Sequence, residues 1–531
     1  MPRTAKRSIL SFHCFLIIMA LWVGTPATGW ARTHYHWVQL VAGQHKNGHW
    51  LPGVSVRAVV DQKDACPSLF AKPEMKKNDA LFALTERPKR GAVARGDQFA
   101  DIKMCEHTLP PDDKLLEKFT TAYLPGDNKA IPVRLPDLSG GGVPFSQLIT
   151  SGCTGCRDAK EQYCSATAPA DDKKTKHSAL PWLYGDLMAR AANEAGEDLP
   201  PLWIHLGDMR YSGQKEGVED SWKQSKHKLG WKEELFEPTA NLLTKSFVVM
   251  LRGNHEGCFV KGNDWDRSNW QDRGEAWFYF FGTGDQRCET VATQWHDVVP
   301  PFAMDALVHG SSATKPAKTA RRVRLILLDT VRTGDGRDKS PDDTKKLYKH
   351  MFDTVAREFV HELPADQPAW LFEHIPAYEL DTKKGEVDHN VVTKALHDSR
   401  LQADLAKVAM VNSAHLHQFS LIRTNAKPTQ ITVGDGGVAL SGHPGSSCEV
   451  AGKEDLLGMQ SIHFGYLHAR LTVENTEVKA RYEIPLFRPE PGTLQEARRI
   501  VCTGDSKNPL RPVCQKVPSQ PACQHDKGEK D

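Results

Sequence analysis

Four clusters of oxygen and nitrogen donors stand out in this 531-residue chain. They are Gly207-Asp208-Met209-Arg210-Tyr211, Arg252-Gly253-Asn254-His255-Glu256, Glu373-His374-Ile375-Pro376 and Asn412-Ser413-Ala414-His415-Leu416-His417. A carboxylate, a phenol, an amide and several imidazoles suit hard or borderline metals. Each cluster alone is commonplace, since a Gly-Asp after a strand is usually just a turn. Together, in this order and each behind an apolar run, they point to one metal-binding rim. Two metals about 3.5–4 Å apart can clamp the attacking and leaving oxygens of an in-line displacement at phosphorus. Such a site needs a bridging carboxylate, neutral donors and room for a water. Asp208 suits the bridge, Asn254 offers an amide oxygen, and His374, His415 and His417 offer imidazoles. In a regular strand His415 and His417 would share a face and one metal; in a loop beyond the strand they can diverge to two.

The clusters need a scaffold that brings strand ends together. Leu202–Leu206 and Phe247–Leu251 read as buried parallel strands, and ligands sit beyond the carboxyl ends of such strands in open α/β sheets. From Val143 onward, strands and helices alternate, the mark of an α/β domain. Phe145–Thr150, Val323–Leu328, Ala369–Phe372 and Val408–Val411 read as strands, with helices over 182–195, 345–362 and 391–405. Leu183, Leu187, Ala191 and Ala195 would line one helix face. Residues 32–142 read as a β-rich N-terminal module, closed by a linker at Ser139-Gly140-Gly141-Gly142, with Cys66 and Cys105 as a disulfide. The α/β domain is expected over 143–485, and 486–531 as a disulfide-tied tail. Trp222, Trp231, Trp265, Trp270 and Trp277 are read as packing residues before pocket walls.

The balance of 68 basic against 66 acidic residues leaves no electrostatic footprint for nucleic acid or an anionic membrane. Arg3, Lys6 and Arg7 precede an apolar run from Ile9 to Val23 and a small-residue stretch ending at Ala31. This is the layout of a secretory signal over 1–31, its core shorter than the roughly 20 residues of a membrane span. No later stretch is apolar enough to span a bilayer. The expected location is therefore exported, periplasmic or secreted, where cysteines mostly pair.

The stretch from Val143 to about Ile484 resembles the calcineurin-like metallophosphoesterases. The resemblance is carried by Gly207-Asp208-x-x-Tyr211, Gly253-Asn254-His255-Glu256, the His374 segment and His415-x-His417. Tyr211 is similar to the tyrosine of purple acid phosphatases. Thr154-Gly155-Cys156-Arg157, Cys164 and Cys258 resemble a bacterial exported branch of that family. The resemblance implies a four-layer αββα sandwich and hydrolysis of phosphomonoesters or phosphodiesters by a hydroxide on a binuclear centre of zinc, iron or manganese. It implies that Asp208 bridges, that Tyr211 and His417 serve one metal, and that Asn254, His374 and His415 serve the other. His255 would sit over the phosphate, oriented by Glu256, and Arg252 could contact it, although an arginine before a turn is more often a structural salt-bridge partner.

One departure matters. Where the family places its first Asp ligand, this chain has Gly152-Cys153. Cys153 could replace the carboxylate as a thiolate, favouring zinc. Setting it aside leaves an even set of cysteines, with pairs 66–105, 156–164 and 258–288. Alternatively, the site is degenerate and the protein keeps the fold for a binding role. Ala414 stands where the family usually has glycine, which matters only if the backbone there needs φ > 0.

Overall fold

In the computed structural model the described residues run from 33 to 514. They exclude 157–161, 165–179, 212–220, 225–228, 259–266, 289–297, 310–320, 333–340 and several shorter segments. The signal expected at 1–31, Arg157 and Trp265 lie outside them. Two large sheets pack face to face, one of twelve strands and one of nine among the described residues. Their inner faces form one core, with Leu148, Ile204 and Val249 from the first sheet and Leu325, Met410 and Ile431 from the second. Helices cover the outsides. On one side, the helix Tyr184–Glu194 buries Leu187, Met188, Ala191 and Ala192 against Trp203 and Val248 of the first sheet. On the other, the helix Pro341–Val355 buries Tyr348, Met351, Phe352 and Val355 against Ile326 and Leu371. This is the expected αββα sandwich.

The centre of each sheet is parallel, as the apolar runs predict. In the first, Gln147–Ser151, Leu202–His205 and Phe247–Met250 lie side by side, with Leu148 opposite Leu202 and Leu202 opposite Phe247. In the second, Arg322–Leu327, Ala369–Phe372, Val408–Ser413 and Thr429–Val433 do the same. Most of their residues are buried, so Leu202–Ile204, Phe247–Met250 and Ala369–Phe372 are continuous apolar runs rather than alternating ones, while Thr429–Val433 buries polar side chains as well. Among the described residues no helix is long and apolar enough to cross a membrane.

The first sheet crosses both of the boundaries expected at 142 and 485. Thr33–Lys46 lies parallel to Phe247–Met250, with Val38 opposite Phe247, and pairs on its other edge with His49–Asp61. The latter has ten consecutive buried residues and could not serve as a solvated strand of a separate module. Only Ser68–Phe70, Ala80–Ala83, Thr121–Pro125 and Ala130–Arg134 form a small sheet apart. Glu477–Glu490 runs through position 485 and pairs with Thr493–Gly504, so much of the expected tail is sheet. The disulfides Cys66–Cys105, Cys156–Cys164 and Cys258–Cys288 form as expected, with Cys502–Cys514 added. Trp222, Trp231 and Trp277 are buried in the aromatic core beneath the first sheet, and Trp222 also lines a small cavity with His34, Asp61 and Lys223.

The end of the Tyr184–Glu194 helix is tied to the sheet through Glu194. Its carboxylate accepts from Arg499 Nη2 at 3.0 Å and lies 3.3 Å from His468 Nδ1. Partial burial alone would raise its pKa, but His468 and Arg499 outweigh that and hold it near 2, below its ordinary 4.5. A depressed carboxylate stabilises the fold above its unfolded pKa and loses that contribution as pH falls through the folded one. Glu194→Gln is therefore expected to flatten the pH dependence of unfolding free energy between about pH 4.5 and pH 2, measured by denaturant titration across that range.

Candidate metal centre

Every cluster in the sequence emerges at the same edge of the sandwich, beyond the carboxyl ends of the parallel strands. Ser151 leads to Cys153, His205 to Asp208 and Met250 to Asn254 from the first sheet. Phe372 leads to His374, and Ser413 to His415 and His417, from the second. Asp208 lies at the middle, buried in a left-handed backbone conformation with φ 57°. Its Oδ2 accepts from the Tyr211 hydroxyl at 2.6 Å and lies 3.3 Å from His374 Nε2, while Oδ1 accepts from the His255 backbone N–H at 2.9 Å.

Donors gather on both sides of that carboxylate. On one side the Tyr211 oxygen is 3.0 Å from His417 Nε2, and Cys153 Sγ is 3.9 Å from Asp208 Oδ2. On the other, Asn254 Oδ1 lies 2.9 Å from both His374 Nε2 and His415 Nδ1. His374 is fixed by its other nitrogen, which meets the Leu206 carbonyl at 2.8 Å. The sequence left the sharing of His415 and His417 open. Here they diverge, because the strand ends at Ser413 and His415 turns to φ 64°. Ala414 is not among the left-handed residues, and its Cβ faces Gly152, so its replacement of glycine causes no backbone strain.

Electrostatics follow from this crowding. Burial opposes the charge on Asp208, but His374 overrides it and holds the carboxyl well below its ordinary range. In return, Asp208 overcomes the burial of His374 and raises its pKa. Burial and then the Asp208 carboxylate push the Cys153 thiol well above its usual value, and the Tyr211 phenol likewise. His255 is half-buried, with its ring 4.3 Å from that of Tyr211, and its desolvated surroundings press its pKa down to about 3.

A scan against protein-family models finds no match, and a search of curated proteins finds none. Among solved structures, a purple acid phosphatase, PPD1, isolated from yellow lupin (Lupinus luteus) seeds, is similar over 93% of this chain and 78% of that chain. The identity is 12% and the TM-score 0.49. At that distance, any functional reading has to rest on the residues of this chain.

Two expected roles change. Arg252 is buried and its Nε and Nη2 both donate to Asp329, at 3.1 and 2.6 Å, with the guanidinium over the Phe278 ring. It joins the loop after the Phe247–Met250 strand to the end of the second sheet, and is not available as a phosphate contact. Glu256 does not orient His255. Its Oε2 accepts from the backbone N–H groups of Asp208 and Gly253 at 2.9 and 2.8 Å, and its Oε1 from those of Met209 and Arg210 at 2.8 and 3.2 Å. Burial and the nearby Asp208 charge lift its pKa to about 7, against the pull of those N–H donors. Gly207 and Gly253 make this clamp possible: Gly207 has φ 95°, and a Cβ on either would meet the backbone or side chain of the opposite loop.

Three positioning residues escaped the sequence reading. Glu256 was seen but misassigned. His205 sits inside an apolar strand, where its Nδ1 accepts from Gly207 N–H and its Nε2 meets Thr154 Oγ1 at 2.8 Å. Glu234 is fully buried and accepts from the backbone N–H groups of Cys156 and Tyr211 at 2.9 and 3.2 Å. With Lys232 and Glu233 charged beside it, nothing in the sequence singled out Glu234. Glu256→Gln turns amide hydrogens toward backbone N–H groups. It is expected to cost about 2 kcal/mol or more in unfolding free energy and about 10–100-fold in metal affinity, read by denaturation and by metal titration.

Proposed function

We propose that the chain is a metal-dependent phosphoesterase, hydrolysing phosphomonoesters or phosphodiesters at a binuclear site built on Asp208. The observation that carries this is the position of Asp208 Oδ2, within reach of donors on two sides: Tyr211 at 2.6 Å and His374 at 3.3 Å. Facing donors about 3–4 Å apart match the edges of a coordination shell with ligands about 2.0–2.3 Å from the ion. The set of carboxylate, amide, imidazole, phenol and thiol fits such ions. Tyr211, His417 and Cys153 would hold one metal, Asn254, His374 and His415 the other, and Asp208 both. Zinc, iron or manganese bound there would acidify water into a nucleophile at neutral pH and take up charge from the phosphoryl oxygens.

The remaining residues would position and stabilise. His255, held neutral and half-buried at the rim, presents a ring N–H to the charge that grows on the phosphoryl group or leaving oxygen. Glu256, His205 and Glu234 hold the two loops so that Asp208 and Tyr211 keep their geometry. The four disulfides among the described residues support an exported location, periplasmic or secreted. A competing reading, a binding protein with impaired catalysis, draws on Cys153 in the place of the expected carboxylate.

The test is turnover of an aryl phosphate and an aryl phosphodiester by the purified protein with Zn²⁺, Mn²⁺ or iron. Activity is expected to vanish with a chelator and return with metal. His255→Asn should lower kcat by about 10²–10⁴ with metal content unchanged, whereas Asp208→Asn should lose both metal and activity. Two bound metals without turnover on either ester would favour the binding reading.

A further inference from the structure

We infer that Cys153 is itself a metal ligand, a thiolate on the Tyr211 side of the centre, and that this position therefore selects zinc over ferric iron or manganese. The inference rests on the two-metal reading above, which already sets Cys153 on that side, and adds the charge state of its sulfur and the ion it selects.

Position is the first reason. Cys153 Sγ, a carboxylate oxygen of Asp208 and a ring nitrogen of His374 all lie within 4.8 Å of one another. The Tyr211 hydroxyl, which touches the same Asp208 oxygen, is within hydrogen-bonding reach of Cys153 as well. His417 lies beside Tyr211, its Nε2 3.0 Å from the phenol oxygen. Thiolate is the softest of these donors, and soft ligands bias a mixed site toward zinc.

Backbone strain is the second. Among the described residues, five that are not glycine have a positive φ: Asn47, Met75, Cys153, Asp208 and His415. The last three each follow a strand at the same sheet edge and each carry a donor of the centre. A left-handed conformation costs an L-residue about 1–2 kcal/mol, and such strain collects where geometry is functionally constrained. Cys153, at φ 52°, holds the same conformation as the bridging carboxylate.

Partners are the third. Cys153 is buried and unpaired, while Cys156, three residues on, is bonded to Cys164. The nearby guanidinium groups are committed elsewhere, Arg252 to Asp329 and Arg210 to Glu234 and the carbonyls of Ser221 and Leu229. What faces the sulfur is the Asp208 carboxylate, the Tyr211 phenol and the His415 backbone N–H, none of which carries a full positive charge. A dication lying between them supplies the counter-charge that lets sulfur carry a negative charge. On binding, the S–H bond breaks, a Zn–S bond forms and the proton leaves to solvent; no electrons change hands. The thiolate then carries the single negative charge that a carboxylate would have brought.

The experiment is X-ray absorption at the zinc edge on protein stripped with chelator and reloaded with Zn²⁺. A sulfur scatterer at about 2.3 Å is expected, and it should be absent from Cys153→Ser and Cys153→Asp. Co²⁺ in place of zinc should give a thiolate charge-transfer band that both variants lose, and Cys153→Asp should shift competition between zinc and manganese toward manganese. Two metals per chain with only nitrogen and oxygen neighbours would overturn the Cys153 assignment and leave the centre standing. No metal retained by the unaltered protein would overturn both. The wild-type spectrum decides the matter even if a variant fails to fold.

Discussion

Two carboxylates buried side by side constrain the whole site. Asp208 and Glu256 share one loop junction away from bulk water, where an uncompensated charge is costly. Glu256 is compensated by four backbone N–H groups, and Asp208 by a phenol, a backbone N–H and the His374 ring. The division of labour follows from the partners. Backbone dipoles are fixed, so Glu256 sets geometry. Side-chain donors can exchange a proton for a cation, so Asp208 and its neighbours can do chemistry.

The two-sheet sandwich exists, from the site's point of view, to deliver these groups without slack. Five strands from two sheets end at one edge, and each places its first donor within four residues of the strand end. Arg252 shows how the halves are joined. Leaving the first sheet, it reaches Asp329 at the end of the Arg322–Leu327 strand in the second. Breaking such a buried pair typically costs about 3–5 kcal/mol. An arginine beside a metal cluster thus serves the register of the two sheets, while a smaller pair of hydrogen bonds, His205 to Gly207 and to Thr154, locks the Cys153 loop onto the Asp208 loop.

The strands and the donors were legible because they obey local rules. Ala369–Phe372 was read with its observed bounds, since a short apolar run between breakers has little freedom to be anything else. Three of the disulfides, Cys66–Cys105, Cys156–Cys164 and Cys258–Cys288, join cysteines that are neighbours along the chain, whereas Cys502–Cys514 was one of several ways to join the last four. The reach of the first sheet was not legible. Nothing in Trp37–Leu40 announces that it will lie against Phe247–Met250, because strand pairing depends on long-range complementarity that leaves no mark on either segment. The role of Glu256 was misread, and that of Arg252 left between phosphate contact and salt bridge, for a related cause: both stand in a motif rich in function, and motif position does not say where a side chain points.

By itself, then, the amino-acid sequence determined the kinds of donor available, the strand ends that carry them, the alternation of strands and helices and the odd thiol at 153. Those are properties of composition, spacing and periodicity. Tertiary structure alone decided which donors share an atom's reach, that His415 and His417 part company, that Arg252 is spent on Asp329, and that Cys153 looks at Asp208. These are distances between residues far apart in the chain, 206 positions for Tyr211 and His417, and such distances are set by how two sheets pack, not by any stretch of chain.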